Sequence, residues 1–166
     1  KVLQPIAGRP MLDHVLATTK GFSEAPSVVV VGHCAEEVKG HYAGRDDLVF
    51  ELQSPQLGTG HALMTAVPLL NKNDPHTLVC LGDVPLLSVK LDNPKGYGRI
   101  VRDEFGRVTS IVEEKDATAD EKLITEVNTG IMVLPTTKLD VWLSALTNNN
   151  AQGEYYLTDV IGLAAG

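Results

Sequence analysis

Leu78-Val79-Cys80-Leu81-Gly82-Asp83-Val84-Pro85-Leu86 is the stretch from which the fold is read. An apolar run ends in Gly-Asp and is closed by a proline two residues later. A short apolar run bounded by turn residues predicts a strand buried on both faces, as in a parallel sheet. In open α/β sheets, ligands bind in the crevice beyond the carboxyl ends of such strands. Gly82 has no side chain to obstruct a ligand there, and Asp83 offers hard oxygens suited to Mg²⁺. A turn aspartate bonded to its own backbone would leave the same pattern. The flanking sequence has to separate the two.

Upstream, Met11, Leu12, Val15, Leu16 and Thr19 recur at helical spacing after Gly8-Arg9-Pro10. Ser27-Val28-Val29-Val30-Val31-Gly32 predicts a buried strand, since successive valines suit a pleated surface. A short helix over Ala35–Tyr42, a strand over Asp47–Leu52 and a helix over His61–Val67 follow. Strand and helix thus alternate, the signature of βαβ units and a parallel sheet. Downstream the pattern changes. Arg99–Arg102 and Arg107–Glu113 flank a Gly-containing turn and predict a β-hairpin. Another strand is expected over Thr129–Leu134, with helices over Leu139–Leu146 and Tyr156–Ala165. The expected class is α/β, a Rossmann-like mixed and mostly parallel sheet with a hairpin excursion.

One junction is anomalous. Leu86-Leu87-Ser88-Val89-Lys90-Leu91 leaves the strand with almost nothing before the next segment, whereas parallel strands need a crossover of a dozen or more residues. Either the sheet turns antiparallel here or residues are missing between Ser88 and Val89. The chain also opens on Lys1-Val2-Leu3 with no first strand ahead of its first helix.

The 166 residues fit one domain with a real core, and 43% hydrophobic with 21% charged residues is ordinary for a globular protein. A formal net charge of -7 argues against a general binder of nucleic acid or anionic membrane. No apolar run approaches the ~20 residues that span a bilayer, and the start lacks a signal-peptide core. Cys34 and Cys80 have neither metal nor CxxC spacing, so both are expected as buried thiols, in keeping with a cytoplasmic location.

Three further segments could carry chemistry. Gln53-Ser54-Pro55-Gln56-Leu57-Gly58-Thr59-Gly60-His61 joins a strand to a helix. Its glycines would let backbone approach a ligand, and a Gln amide matches the donor–acceptor edge of a uracil. A loop whose glycines only satisfy turn geometry reads the same way. Glu113-Glu114-Lys115-Asp116 is a charge run, usually a solvated face. Asn128-Thr129-Gly130 precedes a strand, where Asn is commonly a turn former. The five histidines show no compact metal spacing, and there is no GxSxG elbow, GxGxxG or Walker sequence.

Together the segments Lys1-Val2-Leu3, Gln56–Ala62, Gly82–Leu86, Gly96–Ile100, Ile111–Glu113, Asn128–Gly130 and Asn148–Tyr156 resemble one family, in family order over nearly the whole chain. It is the N-terminal uridyltransferase domain of the bifunctional bacterial enzyme that makes UDP-N-acetylglucosamine. The resemblance implies a nucleotidyltransferase that joins UTP and N-acetylglucosamine 1-phosphate, with Mg²⁺, for cell-wall precursor synthesis. It implies Lys1 and Asp83 as catalytic residues, Lys1 at the nucleotide phosphates and Asp83 as the metal ligand. Gln53, Gly58 and Thr59 match the uracil loop. Gly98, Glu113 and Asn128 match contacts to the acetylated sugar, and Leu81 and Gly82 flank the metal aspartate as substrate-binding positions. Leu81 departs from the Tyr that many relatives carry. The family's Gly-rich loop with its phosphate-binding Arg would precede Lys1. About twenty residues would be absent between Ser88 and Val89, a size that suits the crossover. An Asn completing the metal site, and the left-handed β-helix acetyltransferase domain that forms a homotrimer, would follow Gly166. Two alternatives are a non-catalytic nucleotide-sugar-binding fragment and a nucleotidyltransferase for another sugar 1-phosphate.

Overall fold

The computed structural model describes residues 1–20, 22, 25–82, 88–90 (backbone only) and 92–166. Asp83 and the Val84-Pro85-Leu86 closure lie outside the described residues. A two-residue hairpin, β1 (Pro5–Ile6) with β2 (Arg9–Pro10), leads into α1 (Met11–Thr19). Next come β3 (Ser27–Val31), α2 (Ala35–His41), β4 (Leu48–Leu52), α3 (Thr59–Ala66) and β5 (His76–Val79). The remainder comprises β6 (Ser88–Lys90), β7 (Arg99–Arg102), β8 (Val108–Val112), β9 (Glu126–Asn128), β10 (Met132–Pro135), α4 (Leu139–Ser144) and α5 (Asp159–Ala165).

The alternation read from sequence is present, and β3 and β4 pair in parallel with Val28 opposite Val49 and Val31 opposite Leu52. The run expected as a doubly buried strand of a parallel sheet is corrected: β5 ends at Val79, is half-buried and pairs antiparallel with β10, the edge partner the topology brings to it. β6-β9-β7-β8 forms an antiparallel sheet. The anomalous junction lies mostly outside the described residues; beyond it β6 joins a different sheet from β5, with Ser88 paired to Asn128 and Lys90 to Glu126, antiparallel. The hairpin is as expected, with a register shift between Val101 and Arg102. α3 starts two residues ahead of its predicted first residue, so Gly60 lies within its first turn. The strands β6 and β9, each 3 residues long, carry too little periodicity to be read from sequence.

Two apolar clusters hold the layers. Leu12 and Val15 of α1 pack with Val31, Val38, Tyr42 and Leu48. Leu63, Leu134, Leu139, Leu143, Leu157 and Val160 form the other, joining α3, α4 and α5 to β10 and, through Ile111, to β8. Val160 is 0% and Leu157 3% exposed; full burial of such side chains stabilises by about 1.5–3 kcal/mol each. The expected pair of buried thiols is corrected at Cys34, which is exposed at the left-handed start of α2 (φ 57); Cys80 is half-buried. The polar turn after β3 brings Cys34 to the surface.

Among the described residues, β3 and β5 each pair on one edge only. A cavity of ≈ 610 Å³ meets both strands, lined by consecutive residues Val28 to Val30 and Thr77 to Val79. Consecutive residues point to opposite faces of a strand, so the cavity meets strand edges. Leu12, Leu63 and Leu157 line it as well. The chain exposes 10017 Å², against about 8,000 Å² for a folded monomer of this mass.

Candidate functional site

β4 feeds directly into the Gln53–Thr59 loop. The Gln53 N–H donates to Val31 O at 2.8 Å, extending the β3–β4 ladder by one bond. Its side-chain Nε2 donates to Gly58 O at 2.9 Å and meets His61 Nδ1 at 3.0 Å. With Nδ1 as the acceptor, both amide hydrogens are used within the protein and Oε1 is the atom left to face a ligand. Gln56 folds over Gly32 at the end of β3, where a Cβ would stand 2.6 Å from Gln56 Nε2.

The glycines here answer to close approach. Gly58 has φ 98 and ψ 177, a region essentially confined to glycine. A Cβ on Gly58 would lie 2.7 Å from Tyr155 O, and one on Gly60 would lie 2.9 Å from the same atom. This nearness permits three bonds: Tyr155 N–H to Leu57 O at 2.8 Å, Gly60 N–H to Tyr155 O at 2.8 Å, and Leu157 N–H to Thr59 Oγ1 at 3.1 Å. Gln53, Gly58 and Thr59 are therefore brought together on one loop, held from behind by residues 155–157.

A second group converges at the hairpin. Asn128 N–H donates to Gly98 O at 2.9 Å. A Cβ on Gly98 would stand 3.2 Å from both Glu113 carboxylate oxygens, so Glu113 lies across the Gly98 backbone. Asn128 Oδ1 accepts from Gly130 N–H at 3.1 Å, and the Leu81 side chain packs on Gly130, leaving no room there for a Cβ. Leu81, Gly98, Glu113 and Asn128 thus gather around the ends of β8 and β9 and the start of β7. Gly82 is looser, with Val2 Cγ1 3.4 Å from where its Cβ would be. Lys1 sits at the head of a turn in which its carbonyl accepts from Gln4 N–H at 2.9 Å. Asp83, the expected metal ligand, is outside the described residues. No group of three or more His, Cys, Asp or Glu side chains suited to a metal occurs among the described residues.

The solvated-face reading of the charge run holds for Lys115 and Asp116, which are exposed, but not for Glu113 and Glu114, which are half-buried. Glu113 Oε1 accepts from Thr158 Oγ1 at 3.1 Å. Glu114 Oε2 accepts from Arg99 at 2.6 Å and from Gly96 N–H at 3.3 Å, while Arg99, 1% exposed, also donates to Tyr97 O. Lys115 donates to Gln152 Oε1 at 2.6 Å, and Asp116 accepts from Ala151 N–H at 2.8 Å. Glu113, Lys115 and Asp116 thus form a docking edge for residues 150–158, while Glu114 faces Arg99. Asn150 shapes that segment, with Oδ1 accepting from Gln152 and Glu154 N–H at 3.2 Å each. Thr158 was not apparent from sequence; a Thr-Asp pair opening a helix signals a cap, and nothing local shows the hydroxyl turning elsewhere.

Burial pushes the Glu113 carboxyl up, the Thr158 hydrogen bond opposes this, and the Asp159 and Asp116 charges add to the rise. A carboxyl with a folded-state pKa above its unfolded value binds protons more tightly when folded. Stability from this group is therefore present at low pH and lost as pH rises through the folded pKa. Glu113→Gln is expected to flatten the decline of stability above about pH 4.5 relative to the parent chain. Urea midpoints compared from pH 4 to 8 check this; parallel curves would contradict the burial of Glu113.

The family model for the MobA-like NTP transferase domain matches residues 1–91. The bifunctional protein GlmU of Burkholderia multivorans is 54% identical over 184 aligned residues, covering 99% of this chain and 40% of that protein. GlmU of Burkholderia thailandensis is 52% identical over 181, covering 97% and 40%. The chain thus spans about 40% of the length of the curated relatives it matches. A crystal structure of UDP-glucose pyrophosphorylase complexed with UDP-glucose superposes with TM-score 0.76 at 14% identity, covering 99% of this chain and 78% of that one. Its apo form gives 0.74 at the same identity and coverage. These two likenesses establish the α/β pyrophosphorylase-type fold.

Proposed function

Because the chain belongs to the MobA-like NTP transferase domain family, we propose that it is the uridyltransferase part of a larger enzyme. In this reading it forms UDP-N-acetylglucosamine and pyrophosphate from UTP and N-acetylglucosamine 1-phosphate. One observation carries the choice of site: Gly98, Glu113 and Asn128, far apart in sequence, meet around one backbone hydrogen bond and one carboxylate. The identity to GlmU over nearly the whole chain supports the choice of substrates.

The sugar phosphate oxygen attacks the α-phosphorus of UTP, forming a new P–O bond as the α–β bridge breaks and pyrophosphate leaves. Such chemistry depends on positioning and charge neutralisation more than on a protein nucleophile. The Lys1 ammonium would offset nucleotide phosphate charge. Gln53 Oε1 would accept the uracil N3–H, with Gly58 and Thr59 shaping the loop. Glu113 and Asn128 would hold the sugar hydroxyl and amide groups. One carboxylate plus substrate phosphates is an ordinary donor set for Mg²⁺, and the Asp83 carboxylate fits that set by its chemistry. Bound there, Mg²⁺ would supply charge neutralisation between two anionic reactants.

Pyrophosphate release by the full-length gene product, with UTP and Mg²⁺, tests the reading. N-acetylglucosamine 1-phosphate is expected to support turnover at least ~10-fold better than glucose 1-phosphate, the loss anticipated when polar groups built for a substrate amide are left unpaired. Equal use of the two would favour another sugar phosphate as substrate. Binding of UDP-N-acetylglucosamine without turnover would favour a non-catalytic module.

The same reading extends to the whole protein: a cytoplasmic homotrimer assembled through a C-terminal acetyltransferase domain, with a strand and Gly-rich loop ahead of Lys1. The apolar cavity between the β3 and β5 edges supports the upstream strand. A chain that carries such a strand is expected to have an unfolding free energy at least ~3 kcal/mol above that of the 166 residues alone, since two buried aliphatic side chains supply that much. Unfolding in urea measures it; an unchanged midpoint would remove the strand from the cavity.

A further inference from the structure

We infer that Thr158 is a positioning residue for the sugar phosphate: its hydroxyl pins one oxygen of Glu113 and leaves the other to face the substrate. The inference rests on the uridyltransferase reading for its substrate and on the geometry for its contact. Thr158 is 5% exposed and stands at the N-cap of α5, where a threonine hydroxyl ordinarily accepts from the helix's own first N–H groups. No side-chain cap bond is made there. The hydroxyl instead donates to Glu113 Oε1 at 3.1 Å, across 45 residues of sequence.

Two further contacts define what this bond does. The Glu113 carboxylate already lies against the Gly98 backbone, so fixing Oε1 fixes the plane of the whole group. The neighbouring Leu157 N–H donates to Thr59 Oγ1 and Tyr155 brackets Gly60, so residues 155–158 touch both halves of the site. Tyr155 and Leu157 hold the nucleotide loop, and Thr158 holds the sugar carboxylate. α5 packs on β8, the strand that delivers Glu113, so the span between them is set by the fold. The acidic groups facing Glu113 are Asp116, on its own segment, and Asp159, on α5; both disfavour its charge, and Thr158 counters them.

Thr158→Val keeps the shape of the side chain and removes the donor. In the full-length enzyme, KM for N-acetylglucosamine 1-phosphate should rise about 10-fold or more, the loss expected for a hydrogen bond to a charged group. KM for UTP should stay within about 2-fold, and Thr158→Ser should restore the parent values. Independently, ¹³C-glutamate spectra of the 166-residue chain should show Glu113 titrating at higher pH in Thr158→Val and at the parent value in Thr158→Ser. An unshifted Glu113 titration overturns the contact. A shifted titration with unchanged sugar KM in an active enzyme overturns the positioning role. If the parent enzyme transfers no uridylyl group, the substrate reading fails while the titration still decides the contact. Should Thr158→Val not fold, Thr158→Ala, which relieves any crowding, supplies the same two readings.

Discussion

Gly58→Ala is expected to lower the unfolding free energy by about 3–5 kcal/mol, from backbone strain and lost hydrogen bonds. At φ 98 and ψ 177 a side chain is strained whatever space surrounds it, at a cost of about 1–3 kcal/mol. Space is also lacking. The new Cβ would meet Tyr155 O at 2.7 Å, Glu154 Cβ at 2.9 Å and Tyr155 N at 3.1 Å. Two of the three are backbone atoms and cannot rotate aside. Relief requires the 154–157 segment to retreat from the loop, which breaks the Tyr155–Leu57 and Gly60–Tyr155 bonds. Each contributes about 1 kcal/mol. Gly106→Ala is the control: φ is also positive, at 80, but nothing lies within 4 Å of its Cβ position. Strain alone predicts a loss of about 1–2 kcal/mol there. Urea unfolding of the two variants side by side measures the difference. Equal losses would mean that the loop does not lean on Tyr155.

Asp83→Asn is expected to reduce uridylyl transfer by about 10³-fold while changing stability by less than about 0.5 kcal/mol. The two consequences come from different physics. The amide has nearly the volume of the carboxylate, but it carries no charge to hold a divalent ion against phosphate. Both reactants of the proposed reaction are anions, so losing that charge would act on the transition state and on binding together. Initial rates across a Mg²⁺ series, with urea midpoints as the folding control, check both halves. Retained turnover at saturating Mg²⁺ would remove Asp83 from the chemistry, and with it the role that opened the reading of this chain.

Local pattern carried much of the fold. α1 occupies the predicted Met11–Thr19 stripe, and β3 occupies Ser27–Val31 because successive β-branched residues have little alternative. The hairpin was legible because a Gly-containing turn separates two alternating arms. Asn128 acts as the turn former its residue type suggests, accepting from Gly130 N–H. The strands β6 and β9 were not legible, since their pairing partners are distant in sequence. The half-burial of Glu113 and Glu114 within the charge run is hidden from the sequence for a related cause. Charged residues in succession look solvated unless their distant partners are known: Arg99 for Glu114, and the 150–158 segment for Glu113, Lys115 and Asp116.

Residue order was enough to foretell the alternation of strands and helices, the hairpin, and which residues resemble a nucleotidyltransferase site. These depend on residue periodicity, turn chemistry and side-chain identity, all local properties of the chain. Tertiary structure alone decided that Glu113 lies over Gly98, that Tyr155 occupies the space a side chain on Gly58 would need, and that the Thr158 hydroxyl leaves its helix for a carboxylate. A contact between segments 45 residues apart has no local signature, because it exists only once packing has brought the two surfaces within hydrogen-bonding distance.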